Sequence, residues 1–279
     1  PQVGVETRLD LYGEAGKAVR ECETVVAVLG INKSIEREGQ DRYDILLPAD
    51  QREFLQEIYK VNKNVVVVLV AGSSLAVNWM DENVPAIVNA WYPGESGGTA
   101  VAEVLFGDYN PGGRLPLTYY RSLDDLPAFD DYDITKGRTY QYFKGDVLYP
   151  FGYGLSYTSF KYSGLKVTED DETVNVSFKL KNAGKCAGDE VAQVYVKLPA
   201  RDEVMPVKEL KGFERVSLKK GESRNVSIKL RKDLLRYWDE AKGGFVYPSG
   251  EYTIMVGASS ADIRLNGTVT LSNSNTSTR

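Results

Sequence analysis

Val65-Val66-Val67-Val68-Leu69-Val70-Ala71 runs directly into Gly72-Ser73-Ser74. Seven apolar residues closed by a Gly-Ser turn are far too few to span a bilayer, and they read as a strand buried on both faces. A second run of the same kind, Val25-Val26-Ala27-Val28-Leu29-Gly30, lies upstream. Between the two, Ala49 to Asn62 places Phe54, Leu55, Ile58 and Val61 at helical spacing, with Pro48 at its mouth and Asp50 among its first residues. Outward from this pair, Glu14 to Glu23 is polar and helical in composition. On the other side come a short helix around Leu75 to Trp79, a strand Ala86 to Trp91, the turn Pro93-Gly94-Glu95-Ser96-Gly97-Gly98 and a helix Thr99 to Phe106. Strand–helix–strand repetition with short Gly-rich joints argues for an α/β, mostly parallel, doubly wound sheet.

The periodicity disappears from Gly107 to Tyr157, a stretch rich in Pro, Gly, Asp and Tyr. Its aromatics favour a connector wrapped on a surface over a loose linker. From Phe160 the period becomes two: Thr173 to Leu180, Val191 to Lys197, Ser223 to Leu230 and Glu251 to Val256 alternate, with turn signals at Asn182-Ala183-Gly184, Lys219-Lys220-Gly221 and Pro248-Ser249-Gly250. That pattern is all-β, an antiparallel β-sandwich. The expected division is 1–120 for the α/β domain, 121–159 for the aromatic connector and 160–279 for the sandwich. A polar tail from Ser272 to Arg279 is expected to fray.

Composition narrows the chemistry. The 279 residues carry a net charge of -5, which leaves no basic footprint for nucleic acid or an anionic membrane. There is no histidine, so a Ser-His-Asp or Cys-His site, a His-ligated zinc and an imidazole acid or base are all excluded. Any chemistry falls to carboxylates, Lys, Tyr or a partner. Cys22 and Cys186 lie in different expected domains and read as two unpaired thiols. The chain opens on Pro1 without a leader pattern, as expected of the interior of a longer or processed chain.

The loop after the first strand is dense in charge: Gly30-Ile31-Asn32-Lys33-Ser34-Ile35-Glu36-Arg37-Glu38-Gly39-Gln40-Asp41-Arg42. Loops at the carboxyl ends of strands form the ligand crevice of open α/β sheets. In extended backbone Glu36 and Glu38 would point to one side. Two close carboxylates raise each other's pKa, and Arg37 or Arg42 can hold one of them ionised. A carboxyl kept protonated near neutral pH is what a general acid for a glycosidic oxygen requires. The same residues also describe a solvated loop of local ion pairs.

Elsewhere the signals are weaker. Trp91 and Tyr92 end an expected strand and could stack on a sugar, with core or rim packing the simpler expectation for them and for Trp79. The Gly94-to-Gly98 turn lacks the Lys and spacing of a phosphate loop. Asp130-Asp131-Tyr132-Asp133 does not fit a spaced calcium loop and reads as solvated charge. The glycosylation sequon at Asn32, Asn175, Asn225, Asn266 and Asn275 is too short a pattern to carry a conclusion.

Five stretches in order carry a resemblance that spans nearly the whole chain. They are Glu36-Arg37-Glu38-Gly39-Gln40-Asp41-Arg42 with Leu46-Leu47-Pro48; Ala90-Trp91-Tyr92-Pro93-Gly94-Glu95-Ser96-Gly97-Gly98; Leu105-Phe106-Gly107-Asp108-Tyr109-Asn110-Pro111-Gly112-Gly113-Arg114-Leu115-Pro116; Tyr149-Pro150-Phe151-Gly152-Tyr153-Gly154-Leu155-Ser156-Tyr157-Thr158; and Glu209-Leu210-Lys211-Gly212-Phe213. Their order resembles the C-terminal portion of glycoside hydrolase family 3, the β-glucosidase and β-xylosidase family. The resemblance implies an α/β sandwich domain followed by a fibronectin type III-like domain. It implies a Glu of the E-x-E-G-x-D-R stretch as acid/base, placed on Glu38 with Glu36 as the alternate. It further implies a nucleophilic Asp on a preceding barrel domain, a β-linked oligosaccharide or glycoside as substrate, no cofactor, and a periplasmic or extracellular setting. Pro1 to Leu11 could be the exit from a domain inserted upstream. Tyr149 to Thr158 is expected to seat the sandwich against the α/β domain.

Overall fold

The computed structural model describes residues 12–201 and 204–272. The expected insert exit at Pro1 to Leu11, the Asn275 sequon and all but the first residue of the expected tail lie outside them. The chain divides into two compact units. The first holds the residues up to Phe106 together with Tyr119–Asp125 and Asp146–Leu148. The second holds Gly107–Thr118, Leu126–Gly145 and the residues from Tyr149 onward.

The first unit is built on three parallel strands: β1 (Val25–Gly30), β2 (Val65–Val70) and β3 (Ala86–Asn89), in the order β1-β2-β3. Val25 pairs with Val65 and Val66 with Ala86, so the three strands end at one edge, where their loops emerge together. Helices α1 (Gly13–Glu21) and α2 (Ala49–Val61) pack on each other, and α3 (Asn78–Asn83) and α4 (Gly97–Phe106) follow β2 and β3. Helix α2 forms as its spacing dictates: Leu55 and Ile58 are buried, Asp50 lies in the first turn and Lys60 in the last, each favourable to the helix dipole. The short helix expected around Leu75 to Trp79 sits further on. Leu75, Ala76 and Val77 are buried in irregular backbone, and the helix begins at Asn78.

The second unit contains the sandwich. One sheet has the order β12-β11-β6-β7 and the other β4-β5-β8, all antiparallel. The strands are β4 (Phe160–Glu169), β5 (Thr173–Asn182), β6 (Gly188–Lys197), β7 (Glu209–Leu218), β8 (Ser223–Arg231), β11 (Gly250–Gly257) and β12 (Ile263–Leu271). A separate hairpin pairs β9 (Tyr237–Asp239) with β10 (Gly244–Val246). Alternation sends Val174, Val176, Phe178 and Leu180 of β5 into a core shared with Val194, Val226, Leu230 and Ile254.

The irregular stretch contributes to this unit. Phe151 stacks on Tyr140 at 4.3 Å between ring centroids, and Tyr140 meets Tyr195 of β6 edge-on at 5.9 Å. Gly152 approaches Gln193 so closely that a Cβ there would fall 2.0 Å from its Oε1, while Gln193 Nε2 donates to the Gly152 carbonyl. Arg114 and Glu190 form a buried ion pair at 3.1 Å. Within the aspartate cluster Asp131 pairs with Lys136 at 2.7 Å, and Asp133 accepts from the Thr135 amide, so these carboxylates organise their own loop. Both cysteines are free and exposed. Among the described residues, no helix is long and apolar enough to cross a membrane.

Candidate active site

The charged loop leaves β1 at Gly30, whose peptide is gripped on both sides by one side chain of α2. Gln51 Oε1 accepts from the Gly30 amide and Gln51 Nε2 donates to the Gly30 carbonyl, both at 2.8 Å. No larger residue fits at Gly30, because a Cβ would fall 1.9 Å from the Val70 carbonyl oxygen. Asn32 then turns the chain. Its carbonyl accepts from the Ile35 and Glu36 amides, and its side chain accepts from the Ser34 amide and hydroxyl.

A tight hairpin follows. Arg37 and Gln40 exchange both backbone hydrogen bonds, at 3.1 and 2.9 Å, which leaves Glu38 and Gly39 as the two turn residues. Gly39 has φ +72°, a conformation that glycine adopts without steric cost and that this turn requires. The expectation that Glu36 and Glu38 share one side of an extended chain is therefore corrected. Glu36 closes one turn and Glu38 tips the next, so the two carboxylates have separate surroundings.

Glu36 is held. Its Oε2 lies 2.6 Å from Arg42 Nε and accepts from Ser73 Oγ at 2.5 Å. Arg42 Nη2 donates to the Ser74 carbonyl at 3.0 Å, so the guanidinium also ties the loop to the segment after β2. Of the two arginines considered, Arg42 is the partner of Glu36. Glu38 stands exposed, and among the described residues its carboxylate has no hydrogen bond or ion pair.

The third strand completes this end of the sheet. The Tyr92 hydroxyl donates to the Ile31 carbonyl at 3.3 Å, and its ring lies where a Cβ on Gly72 would be, 2.5 Å from Cε2. Tyr92 thus links the exits of all three strands while remaining half exposed. Trp91 has φ +55°, uncommon for a bulky residue, and is partly buried. Trp79 meets Tyr59 edge-on at 5.5 Å and lines a cavity of about 220 Å³ with Leu47, Leu55 and Met80, which contains no residue of the hairpin. Tyr119 accepts from Asn89 Nδ2 at 3.0 Å. Burial pushes its phenol up to about 12, against the opposing effects of the Asn89 hydrogen bond and the Arg42 charge, so it stays neutral.

Sequence reasoning found the two glutamates and Tyr92 but not Gln51, Ser73, Ser74, Asn89 or Tyr119. Each of these acts across tens of residues of sequence. Only Asn32-Lys33-Ser34 and Glu38-Gly39 carried a local turn signal that could have located the bends.

Two family models match the chain. Residues 4–157 match the glycosyl hydrolase family 3 C-terminal domain, and residues 190–260 match the fibronectin type III-like domain. A protein of Xylanibacter ruminicola named xylan 1,4-β-xylosidase is 42% identical over 93% of this chain and 32% of its own length. A β-glucosidase of Bacteroides ovatus is 36% identical over 97% of this chain and 38% of its own. The crystal structure of a β-glucosidase from Kluyveromyces marxianus in complex with glucose superposes with a TM-score of 0.89 at 34% identity, covering 97% of this chain and 34% of that one. The chain thus spans about a third of the length of the relatives it matches. It belongs to glycoside hydrolase family 3, as that family's C-terminal domain joined to a fibronectin type III-like domain.

Proposed function

We propose that this chain is the acid/base part of a retaining β-glycosidase that removes terminal β-linked sugars, with Glu38 as the proton donor. The observation that carries the reading is the state of Glu38: an exposed carboxyl, unpaired among the described residues, on a hairpin at the carboxyl edge of a parallel sheet. Glu36, the alternate, is less suited, because Arg42 and Ser73 already occupy its Oε2.

In the first step protonated Glu38 gives its proton to the glycosidic oxygen as the bond to the sugar breaks. A carboxylate nucleophile bonds to the anomeric carbon from the opposite face. In the second step ionised Glu38 takes a proton from water as that water displaces the nucleophile, which restores both groups. Retention requires the two carboxyls about 5–5.5 Å apart across the sugar. The nucleophile is an Asp on an N-terminal barrel, and the chain by itself does not turn over.

The substrate is a β-linked oligosaccharide or aryl glycoside with a terminal glucosyl unit. A xylosyl or arabinosyl unit is the second reading, favoured by the xylosidase name of the 42% identical relative. A non-catalytic carbohydrate-binding module is the reading from another class. Assay of the chain alone, and then with an N-terminal barrel portion of the family added, separates these. Turnover of aryl β-glucoside or β-xyloside only in the combined sample is expected. Turnover by the chain alone overturns the division of labour, and none in either sample favours the binding module.

A further inference from the structure

We infer that Glu36 and Arg42 are positioning residues that clamp the base of the Glu38 hairpin. This rests on the assignment of Glu38 as acid/base. The hairpin occupies 37–40. Glu36 immediately precedes it and Arg42 follows two residues after it, so the 2.6 Å ion pair joins its two legs where they leave the protein surface.

Both legs are also fixed to one external point, the segment after β2. Ser73 Oγ donates to Glu36 and Arg42 Nη2 donates to the Ser74 carbonyl. A third tie runs from Gln40 Nε2 to the Ser34 carbonyl at 3.2 Å, which holds the hairpin against the preceding Asn32 turn. Side-chain exposures of 11% for Arg42 and 24% for Glu36 put the pair below the solvent-screened surface, whereas the turn it supports is exposed.

The geometry explains how an exposed tip can deliver a proton to a fixed point. Among the described residues the Glu38 carboxylate has no hydrogen bond or ion pair to orient it, so its placement comes from the closed base beneath it. Misplacement by about 1 Å can cost on the order of 10²-fold in rate. Arginine is required for two-point attachment, since its planar fork reaches Glu36 and the Ser74 carbonyl together, whereas an ammonium is a single point charge.

The test uses the active enzyme formed by this chain with an N-terminal barrel portion. Arg42→Gln is expected to lower kcat on an unactivated aryl glycoside by about 10²-fold with KM changed by less than about threefold. Arg42→Lys should recover part of that loss. Because Arg42 variants could unfold the loop altogether, Glu36→Ala and Ser73→Ala are measured beside them, with thermal unfolding as the fold check. Glu36→Ala combined with Arg42→Gln should lose no more than the more damaging single change, as expected of two parts of one device.

On an aryl glycoside with an activated leaving group, azide separates positioning from proton donation: it bonds to the anomeric carbon in place of water without needing a general base, the bond to the enzyme nucleophile breaks, and the product leaves as the glycosyl azide. Azide should accelerate Glu38→Ala and leave Glu36→Ala unchanged. Azide acceleration of Glu36→Ala, or wild-type kcat in both Glu36→Ala and Arg42→Gln, would overturn the clamp. Wild-type kcat in Glu38→Ala would instead overturn the acid/base assignment beneath it.

Discussion

The two units solve the burial problem differently. In the sandwich, strands from two sheets face one another, and Val174, Leu180, Val194, Leu230 and Ile254 are fully enclosed. In the α/β unit, β2 is enclosed at Val65 and Val67, but Val26 and Val28 of β1 are 49% and 64% exposed and Phe106 at the end of α4 is 85% exposed. The sandwich closes on itself. Among the described residues the parallel sheet has three strands, with β1 and β3 at its edges, and part of its apolar surface is exposed. The comparison teaches that the unit bearing Glu38 is the less self-contained one. Its site is organised by polar ties, such as Gln51 of α2 to Gly30 at the end of β1 and Arg42 to Glu36 within the loop, more than by core packing.

The largest stability effect belongs to the closed unit. Arg114→Met removes the ion-pair partner of Glu190, whose side chain is only 5% exposed, and should cost about 3–5 kcal/mol. Chemical denaturation followed by a probe in the sandwich checks it, and a loss below about 1 kcal/mol would show that Glu190 finds another partner. Leu230→Ala removes a fully buried side chain and should cost about 2–5 kcal/mol by the same measurement. Val28→Ala, on the open sheet edge, should change stability by no more than about 0.5 kcal/mol. If Val28 costs as much as Leu230, the contrast between the units fails.

The smallest effect is acid-dependent. Hydrogen bonds from Thr173 and Asn175 and the backbone amides of Thr173 and Glu172 hold the Asp170 carboxyl well below its ordinary range at the β4–β5 turn. A depressed folded pKa stabilises the fold above the unfolded carboxylate value, about 3.9, and that contribution fades as pH falls through the lower folded value. The stability gap between wild type and Asp170→Ala should therefore narrow only below about pH 4. A gap constant from pH 7 to pH 2 would show that the carboxylate charge is not involved.

Much of this architecture was legible from pattern. The apolar runs at Val25 to Gly30 and Val65 to Val70 and the helix from Ala49 follow directly from periodicity, because their burial is set locally by which faces are apolar. Strands β7 and β12 escaped reading. The first carries Glu209, Lys211, Glu214 and Arg215 with Phe213 exposed, and the second alternates Thr, Asn and Gly with its apolar residues, so neither stands out from loop composition. In the site, the charged loop was legible as a place but its geometry was not. Extended backbone was the wrong premise, since Asn32 and Gly39 bend the chain, and the partners of Glu36 arrive from Ser73 and Ser74 beyond β2.

Leaving-group dependence tests most directly whether Glu38 is a proton donor. In the combined enzyme, Glu38→Gln should lose most of its rate on an aryl glycoside with a poor leaving group, about 10²–10⁴-fold, yet far less on one whose leaving group departs without protonation. An equal loss on both substrates, or no loss on either, would contradict it.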